Sequence, residues 1–361
     1  MASKNQHYVP RVYLKSWETS VRTKAEPHKR FSGVYTFDKS DLSVGEGRTR
    51  ETILSTNHTY TIKFDNSFFF LKCPDIIEDF ANSILSILND RNEFAQYNGQ
   101  TLLTDRDVVK NYSKIDEWDF FHSTDGSPAS RRSTSNSMQS IRCYVLEDGF
   151  SKFIESKWEK VFNSFIAPAE QLSLNGRGSV DYLFNQNSVV EQIVEMFVIM
   201  ALRNPEFDLM GIFPAISKLL LSVFDDQKYT NEMLRALWLS QIYKALFGEK
   251  NSYFYLAVKE TIKRCGCILF KINNCEESTF ITSDNPAFTF RSSVMATNKN
   301  GMYFPLSPRY LLFMGLNSTG AINNIIIRTI NKEDIKKVNQ IILNAATKSI
   351  ISSQRYLGSI L

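Results

Sequence analysis

Apolar and polar residues alternate along the first part of the chain in a way that predicts β-strands. At 34–38 and again at 59–64, apolar side chains recur at every second residue, and this period places them on one face of a strand. We therefore expect residues 1–70 to be strand-rich, with the strands facing a common core.

After Pro74 the apolar residues recur every three or four positions, which predicts helices. The first apolar stripe is formed by residues 76, 77, 80, 84, 85, 87 and 88. Asp75 stands where a side chain can cap the first turn of this helix. Similar stripes predict helices at about 150–165, 188–203, 206–224 and 229–247. Gly248 suits the position just after the last of them, and we expect residues 75–263 to be helical.

One segment inside this helical region, residues 122–140, has a different composition. Nine of its nineteen residues are Ser or Thr and almost none is apolar, which predicts a flexible insertion. Arg131 and Arg132 within it could contact phosphate, although solvated loop charges are the simpler interpretation.

Strand patterns return from Cys265 onward. Short apolar runs occur at 265–272, 279–282, 302–304, 310–315 and 324–328. They predict that residues 265–330 are strand-rich, and a last apolar stripe predicts a closing helix over about 331–350. Strands at both ends around a helical middle indicate an α+β protein. Because we find no repeat and no linker besides the Ser-rich segment, we expect residues 1–361 to form one large domain.

The composition is that of an ordinary globular protein. With 43% hydrophobic and 22% charged residues in a chain of 361, it excludes disordered, collagen-like and disulfide-rich classes. The net charge is only +4, yet residues 1–32 hold seven Lys or Arg against two Glu, so the remaining residues carry a net charge of −1. This distribution argues against a dedicated DNA-reading domain and for a local anion-facing surface near the N-terminus.

The chain contains no apolar segment of signal-peptide or membrane-spanning length. The longest unbroken apolar run is 196–202, which is far too short to cross a bilayer. We therefore expect a cytoplasmic protein with no membrane partner.

Five cysteines at positions 73, 143, 265, 267 and 275 are odd in number and scattered, which suits reduced thiols. Cys265 and Cys267 would face the same side of a strand. Without a Cys-x-x-Cys pair, buried small side chains explain these two better than zinc, and we assign no metal ligand.

Motifs for phosphate-binding loops, dinucleotide binding, serine hydrolases and zinc peptidases are missing from the sequence. The strongest candidate for chemistry is residues 6–14, Gln-His-Tyr-Val-Pro-Arg-Val-Tyr-Leu. His7 can act as an acid or base near neutral pH, and the planar guanidinium of Arg11 suits phosphate or carboxylate. The structural alternative is that this segment docks under the body of the protein, with His7 hydrogen-bonded and Arg11 paired to a carboxylate.

A second group of polar residues lies in apolar surroundings farther along the chain. Asp284 follows a predicted buried strand, which is a common place for a catalytic or metal-binding carboxylate, although an Asx-turn is the commoner explanation. Arg203 ends an apolar helix and can bind its last carbonyls or reach into a pocket. Glu78 is a candidate carboxylate partner for one of the arginines.

The chain contains five short sequence blocks in a recognisable order. They are Gln-His-Tyr-Val-Pro-Arg-x-Tyr-Leu at 6–14, Ile77-Glu78, Arg203 to Pro205, Phe-Ile-Thr-Ser-Asp-Asn-Pro at 280–286 and Phe-Pro-Leu-Ser-Pro at 304–308. Together they span nearly the whole chain and resemble the bacterial family catalogued as domain of unknown function 4238. The chain departs from the family pattern in its Ser-rich segment and at Ala287, where a β-branched residue is expected. The resemblance implies a bacterial or prophage-borne accessory protein, and some similar proteins act alone in defence against phage.

The first functional hypothesis is a toxin-like antiphage defence effector that cleaves RNA or DNA. In it His7 is the acid or base, Arg11 and Arg203 stabilise phosphate charge, and Glu78 and Asp284 orient groups or hold a divalent metal. His7, Arg11, Arg203 and Asp284 should then converge within one pocket, roughly 10 Å across. The expected substrate-binding residues are Gln6, Tyr8, Tyr13, Ser283, Asn285, Ser307 and Arg309.

Two alternatives use the same residues differently. In one, the chain is a non-enzymatic sensor or binding module for a phage-encoded trigger or nucleic acid, and the polar cluster locks the N-terminal segment to the C-terminal strands. In the other, it is an enzyme acting on a nucleotide or small metabolite. Loss of activity in a stable His7 variant would favour an enzyme over the lock.

Overall fold

The computed structural model describes residues 5–65, 68, 71–172, 178–183, 187–205, 212–248, 253–273, 278–291, 300–316 and 324–361. The chain forms two compact units. The first, here called the helical unit, contains Tyr60–Asp148 and Gly211–Phe247. The second, the sheet unit, contains Ser3–Thr59, Gly149–Met210 and Gly248–Leu361.

The strands, in chain order, are β1 (Asn5–His7), β2 (Thr19–Val21), β3 (Phe31–Asp38), β4 (Asp41–Arg48), β5 (Ser55–Asn57), β6 (Ile62–Lys63), β7 (Glu93–Tyr97), β8 (Gln100–Thr101), β9 (Asp119–His122), β10 (Arg142–Cys143), β11 (Ser179–Leu183), β12 (Cys265–Lys271), β13 (Thr282–Ser283), β14 (Phe288–Arg291), β15 (Asn300–Pro305), β16 (Tyr310–Leu316), β17 (Asn324–Thr329) and β18 (Ser349–Ser352).

The helices are α1 (Arg11–Leu14), α2 (Pro74–Asp90), α3 (Asp105–Asn111), α4 (Arg131–Met138), α5 (Val145–Gly149), α6 (Ser156–Gln171), α7 (Asn187–Arg203), α8 (Ile212–Phe224), α9 (Gln227–Phe247), α10 (Tyr253–Arg264) and α11 (Lys332–Ala345). A π-helical turn, Phe150–Glu155, precedes α6. Among the described residues no helix is both long and apolar enough to cross a membrane.

The helical unit packs α2, α3, α4, α8 and α9 with a small antiparallel sheet of order β8-β7-β9 and the β6–β10 pair. The apolar stripe of α2 is buried as predicted. The helix begins one residue earlier than predicted, at Pro74, whose missing N–H suits a first position. Asp75 therefore lies inside the first turn and does not cap it; instead it accepts a hydrogen bond from the Tyr243 hydroxyl at 2.6 Å.

The Ser-rich segment 122–140 differs from the flexible insertion that its composition predicts. It contains a turn at Gly126, where φ is +70°, and helix α4. Thr134 of α4 is fully buried and donates to the Glu93 carboxylate at 2.6 Å. Arg131 donates to the Trp118 carbonyl at 2.6 Å. Long-range hydrogen bonds thus replace the apolar contacts that the segment lacks.

The sheet unit is built around a six-stranded sheet of order β11-β17-β12-β16-β15-β14, in which only the β12–β17 pair is parallel. One face packs into a core with α1, α6 and α7. The other face packs with α11 and strands β3 and β18. Burial on both faces explains why these strands read as continuous apolar runs.

A second sheet of order β13-β18-β3-β2, with β4 beside β3, joins distant parts of the chain. Strand β3 from the N-terminal region pairs with β18 from the C-terminal region, so that Tyr35 lies opposite Ser352. The predicted closing helix over 331–350 is accordingly too long. Helix α11 ends at Ala345, and the chain then forms strand β18, which pairs with β13 on one side and with β3 on the other.

The predicted α+β class, with strand-rich ends around a helical middle, is confirmed. The middle is less purely helical than predicted, because it also contains β7 to β11. The residues that bear on function within the N-terminal segment and at the end of α7 all lie in the sheet unit.

Candidate functional site

The N-terminal segment is held in place as an edge strand and a short helix. Strand β1 pairs with β5, with His7 opposite Ser55, and the Tyr8 N–H donates to the Leu54 carbonyl at 3.0 Å. Gln6 and Val9 are fully buried on this segment. A chain end fixed in this way can hold a side chain in one geometry.

Arg203, the last residue of α7, reaches back to this segment. Its Nε and Nη2 donate to the backbone carbonyl of His7 at 3.0 and 2.5 Å. Its Nη1 donates to Glu155 Oε1 at 2.6 Å. The guanidinium carbon lies 4.2 Å from the centre of the Phe150 ring, and the side chain is 1% exposed. Arg203 therefore fixes the backbone at His7 and is closed to a substrate phosphate.

Glu155 is a residue of the candidate site that the sequence did not indicate. It ends the π-helical turn before α6, and its side chain is 20% exposed. The sequence around it, Phe-Ser-Lys-Phe-Ile-Glu, has no motif, and a π-helical turn has no simple sequence pattern. Contact with Arg203 gives the buried guanidinium a counter-charge.

The imidazole of His7 is half-buried, and its pKa is lowered from 6.5. Burial is the main cause, and the positive charge of Arg11 adds to it, while a hydrogen bond to the Glu51 backbone opposes it. In the described part of the chain Nε2 is buried and has no hydrogen-bond partner. In the tautomer with its proton on Nδ1, the neutral ring has a lone pair on Nε2 that no described residue uses.

Arg11 begins α1 and is exposed. Its side chain has no ion-pair or hydrogen-bond partner among the residues that the structure describes, and its backbone carbonyl accepts a bond from Arg50 at 3.1 Å. Of the structural alternative, the carboxylate partner of Arg11 is not found among the described residues, although the docking of the segment itself is observed. Its guanidinium is available to an anion, close enough to His7 to influence the ring's pKa.

Asp284 is buried, and its carboxylate is fully used by the backbone. It accepts hydrogen bonds from the N–H groups of Thr347, Lys348 and Ser349 at 2.9, 2.7 and 2.9 Å. The Asn204 amide reaches only the backbone carbonyl of Asp284, at 3.5 Å. The structure thus brings His7, Arg11 and Arg203 together, whereas the Asp284 carboxylate holds the turn between α11 and β18.

Tyr13 and Trp17 anchor the N-terminal segment in the core. The Tyr13 hydroxyl is hydrogen-bonded to the Pro305 carbonyl at 2.6 Å and to the Thr282 hydroxyl at 2.7 Å. Burial raises the pKa of this phenol well above 10. Trp17 donates to the Phe280 carbonyl at 3.3 Å. Tyr13 is therefore a structural anchor and not the substrate-binding residue predicted.

Most of the other predicted binding residues also make structural contacts. The Ser283 hydroxyl and the Asn285 backbone bond each other, and the Asn285 amide donates to the Ala345 carbonyl. Ser307 caps its own turn, while Arg309 donates to the Ile272 carbonyl and pairs with Glu170.

Tyr8 is half-buried beside the core. Glu78 is exposed on α2 of the helical unit, and its side chain has no bonding partner within the described ranges.

The described residues contain no group of three or more His, Cys, Asp or Glu that could hold a metal ion. Cys265 and Cys267 are buried and face the apolar core, and burial raises the pKa of the Cys267 thiol to about 12. Cys275 lies outside the described residues.

Comparison with known proteins gives a single result. A family model described as "Protein of unknown function (DUF4238)" matches residues 5–356. No curated protein and no solved structure matches the chain. The matched range includes every residue of the site described above.

Proposed function

The chain belongs to the DUF4238 family, whose function is not known, and we propose from its site that it is an antiphage defence effector that cleaves phosphodiester bonds in nucleic acid. The observation that carries this proposal is the His7 ring. A neutral imidazole whose Nε2 bonds to no described residue is prepared to accept a proton there when its own proton is on Nδ1.

Arg11 supplies the second requirement of the reaction. Cleavage of a phosphodiester builds negative charge on the phosphate oxygens, and an exposed guanidinium with no partner in the described part of the chain can stabilise that charge. Lys24, Lys29 and Arg30 of the N-terminal region are also exposed, although Lys29 pairs with Glu26 at 3.6 Å. Exposed basic side chains of this kind attract a polyanion.

Arg203 and Glu155 serve as positioning residues in this proposal. The guanidinium holds the backbone of His7, and Glu155 compensates the buried charge. This set is smaller than the one predicted from the sequence, because Asp284 and Glu78 are not part of it.

In the reaction, His7 Nε2 takes the proton of the attacking hydroxyl, from a ribose or from water. The hydroxyl oxygen forms a bond to phosphorus, the bond from phosphorus to the leaving oxygen breaks, and the proton passes from His7 to that oxygen. The reaction needs Nε2 to be uncovered, so the residues that bury it must move when the substrate binds.

Cells that express the chain test the proposal. Wild type should reduce phage plating and leave fragmented nucleic acid, and His7→Gln should lose both effects while the protein accumulates normally. The matched control is His28→Gln, because His28 is exposed and makes no part of the site. Full protection by His7→Gln contradicts the proposal.

One observation favours a second candidate, a non-enzymatic sensor. Tyr13, Trp17 and Arg203 tie residues 7–17 to distant parts of the sheet unit, so a trigger that displaced this segment would expose apolar surface. In that case the purified chain would cleave no nucleic acid, and the trigger would make the N-terminal segment sensitive to protease.

A further inference from the structure

A groove of about 260 Å³ lies between helices α7 and α10 of the sheet unit. Three of its lining residues, Phe254, Val258 and Ile262, follow one another at intervals of four along α10 and form an apolar wall. Tyr255 stands beside them and is 43% exposed. This volume suits part of a small organic molecule.

The opposite wall, on α7, carries two carboxylates. Glu191 and Glu195 are one helical turn apart and both line the groove. The only other charged lining residue is Lys259, and it makes no ion pair with either of them in the described structure. The lining therefore has one net negative charge beside an apolar surface.

The two carboxylates are compensated only in part by the residues that the structure describes. Part of the Glu195 side chain is exposed, but the surrounding helices desolvate its carboxyl group. This burial raises the pKa of Glu195, and the negative charge of Glu191 raises it further. Lys157 on α6 offsets only part of the effect. A cation in the groove would relieve the repulsion.

We propose that this groove binds an organic monocation with an apolar body, such as an alkyl- or aryl-ammonium ion. The apolar wall takes the hydrocarbon part, and the ammonium group lies between Glu191 and Glu195. The Phe254 and Tyr255 rings add attraction to a cation near their faces. The proposal uses no residue of the His7 site and does not depend on the function proposed there.

Calorimetric titration of the purified full chain with phenethylammonium tests it. The neutral isostere 2-phenylethanol has the same hydrocarbon part, so comparing the two isolates the charge. We expect saturable binding of one phenethylammonium per chain, and an affinity at least about tenfold higher than for the alcohol.

Variants locate the binding. Glu195→Gln and Glu191→Gln should each weaken phenethylammonium binding several-fold, and both should fold because each removes a like-charge repulsion. The matched control is Glu333→Gln, an exposed position on α11 outside the groove, which should leave binding unchanged. The proposal is overturned by absence of saturable binding at millimolar concentration, by equal binding of the alcohol, or by unchanged binding in both groove variants.

Discussion

Arg203 holds the backbone carbonyl of His7 with two N–H groups, across 196 residues of sequence. The same guanidinium binds Glu155 at 2.6 Å and is almost completely buried. A buried arginine with this many partners fixes geometry, because any movement of the His7 backbone would leave two buried N–H donors without their acceptor.

Arg203→Met should therefore destabilise the protein strongly. It leaves the Glu155 carboxylate and the His7 carbonyl without their donors, and loss of one partner of a buried pair costs about 3–5 kcal/mol. Denaturant unfolding measures the change. Arg203→Lys should cost less but still be destabilising, because an ammonium group lacks the planar fork.

The control for this experiment is an exposed ion pair. Lys15 and Glu159 lie 3.6 Å apart with side chains 57% and 72% exposed, so Glu159→Gln should change stability by less than about 1 kcal/mol. Similar losses in Arg203→Met and Glu159→Gln would show that Arg203 is not the lock described here.

Asp284→Asn should reduce stability without reducing the specific activity of the folded protein. The amide keeps one acceptor oxygen but places an NH₂ group against backbone N–H donors, and lost hydrogen bonds to a charged group cost about 1.5–3 kcal/mol. Unfolding and cleavage assays on the same sample separate the two effects. A stable Asp284→Asn protein with little activity would return this carboxylate to the catalytic set.

Arg11→Ala should reduce activity while leaving stability almost unchanged. Because Arg11 is exposed and has no side-chain partner among the described residues, the change in stability should stay within about 0.5 kcal/mol. Loss of one charge-assisted phosphate contact should lower kcat/KM about tenfold or more. Removing the nearby positive charge should also raise the pKa of His7, so the acid limb of the pH–rate profile should move to higher pH.

The stability of the wild type should decrease below pH 6.5 relative to His7→Gln. The pKa of His7 is lowered in the folded state, so between that value and 6.5 the unfolded chain binds the proton more readily. The contribution of neutral His7 is fully present above pH 6.5 and is lost as the pH falls through the folded-state pKa. Urea unfolding of both proteins on either side of pH 6.5 measures this, and parallel curves would contradict it.

The sequence predicted much of this arrangement, because apolar periodicity identifies elements and because ionisable residues in apolar runs need a reason to be there. This reasoning predicts His7, Arg11 and Arg203, which lie together in the structure. The partners of Asp284 could not be found, because they are the backbone N–H groups of residues 347–349, which have no sequence pattern.

The Ser-rich segment 122–140 is a second case in which the sequence does not reveal distant hydrogen-bond partners. Its composition predicts a flexible loop, yet Thr134 and Arg131 are held by Glu93 and by the Trp118 carbonyl, 41 and 13 residues away. Local composition contains no information on such distant polar partners, and a few satisfied hydrogen bonds were enough to order a helix with little apolar surface.

Cleavage of end-labelled RNA and DNA by purified wild type, His7→Gln and His28→Gln tests the central claim most directly. Glutamine keeps an N–H that can bond the Glu51 carbonyl but offers no base at the position of Nε2. The account predicts that His7→Gln loses at least about a hundredfold in rate at unchanged stability above pH 6.5, while His28→Gln cleaves like the wild type. Equal cleavage by His7→Gln and the wild type would contradict it.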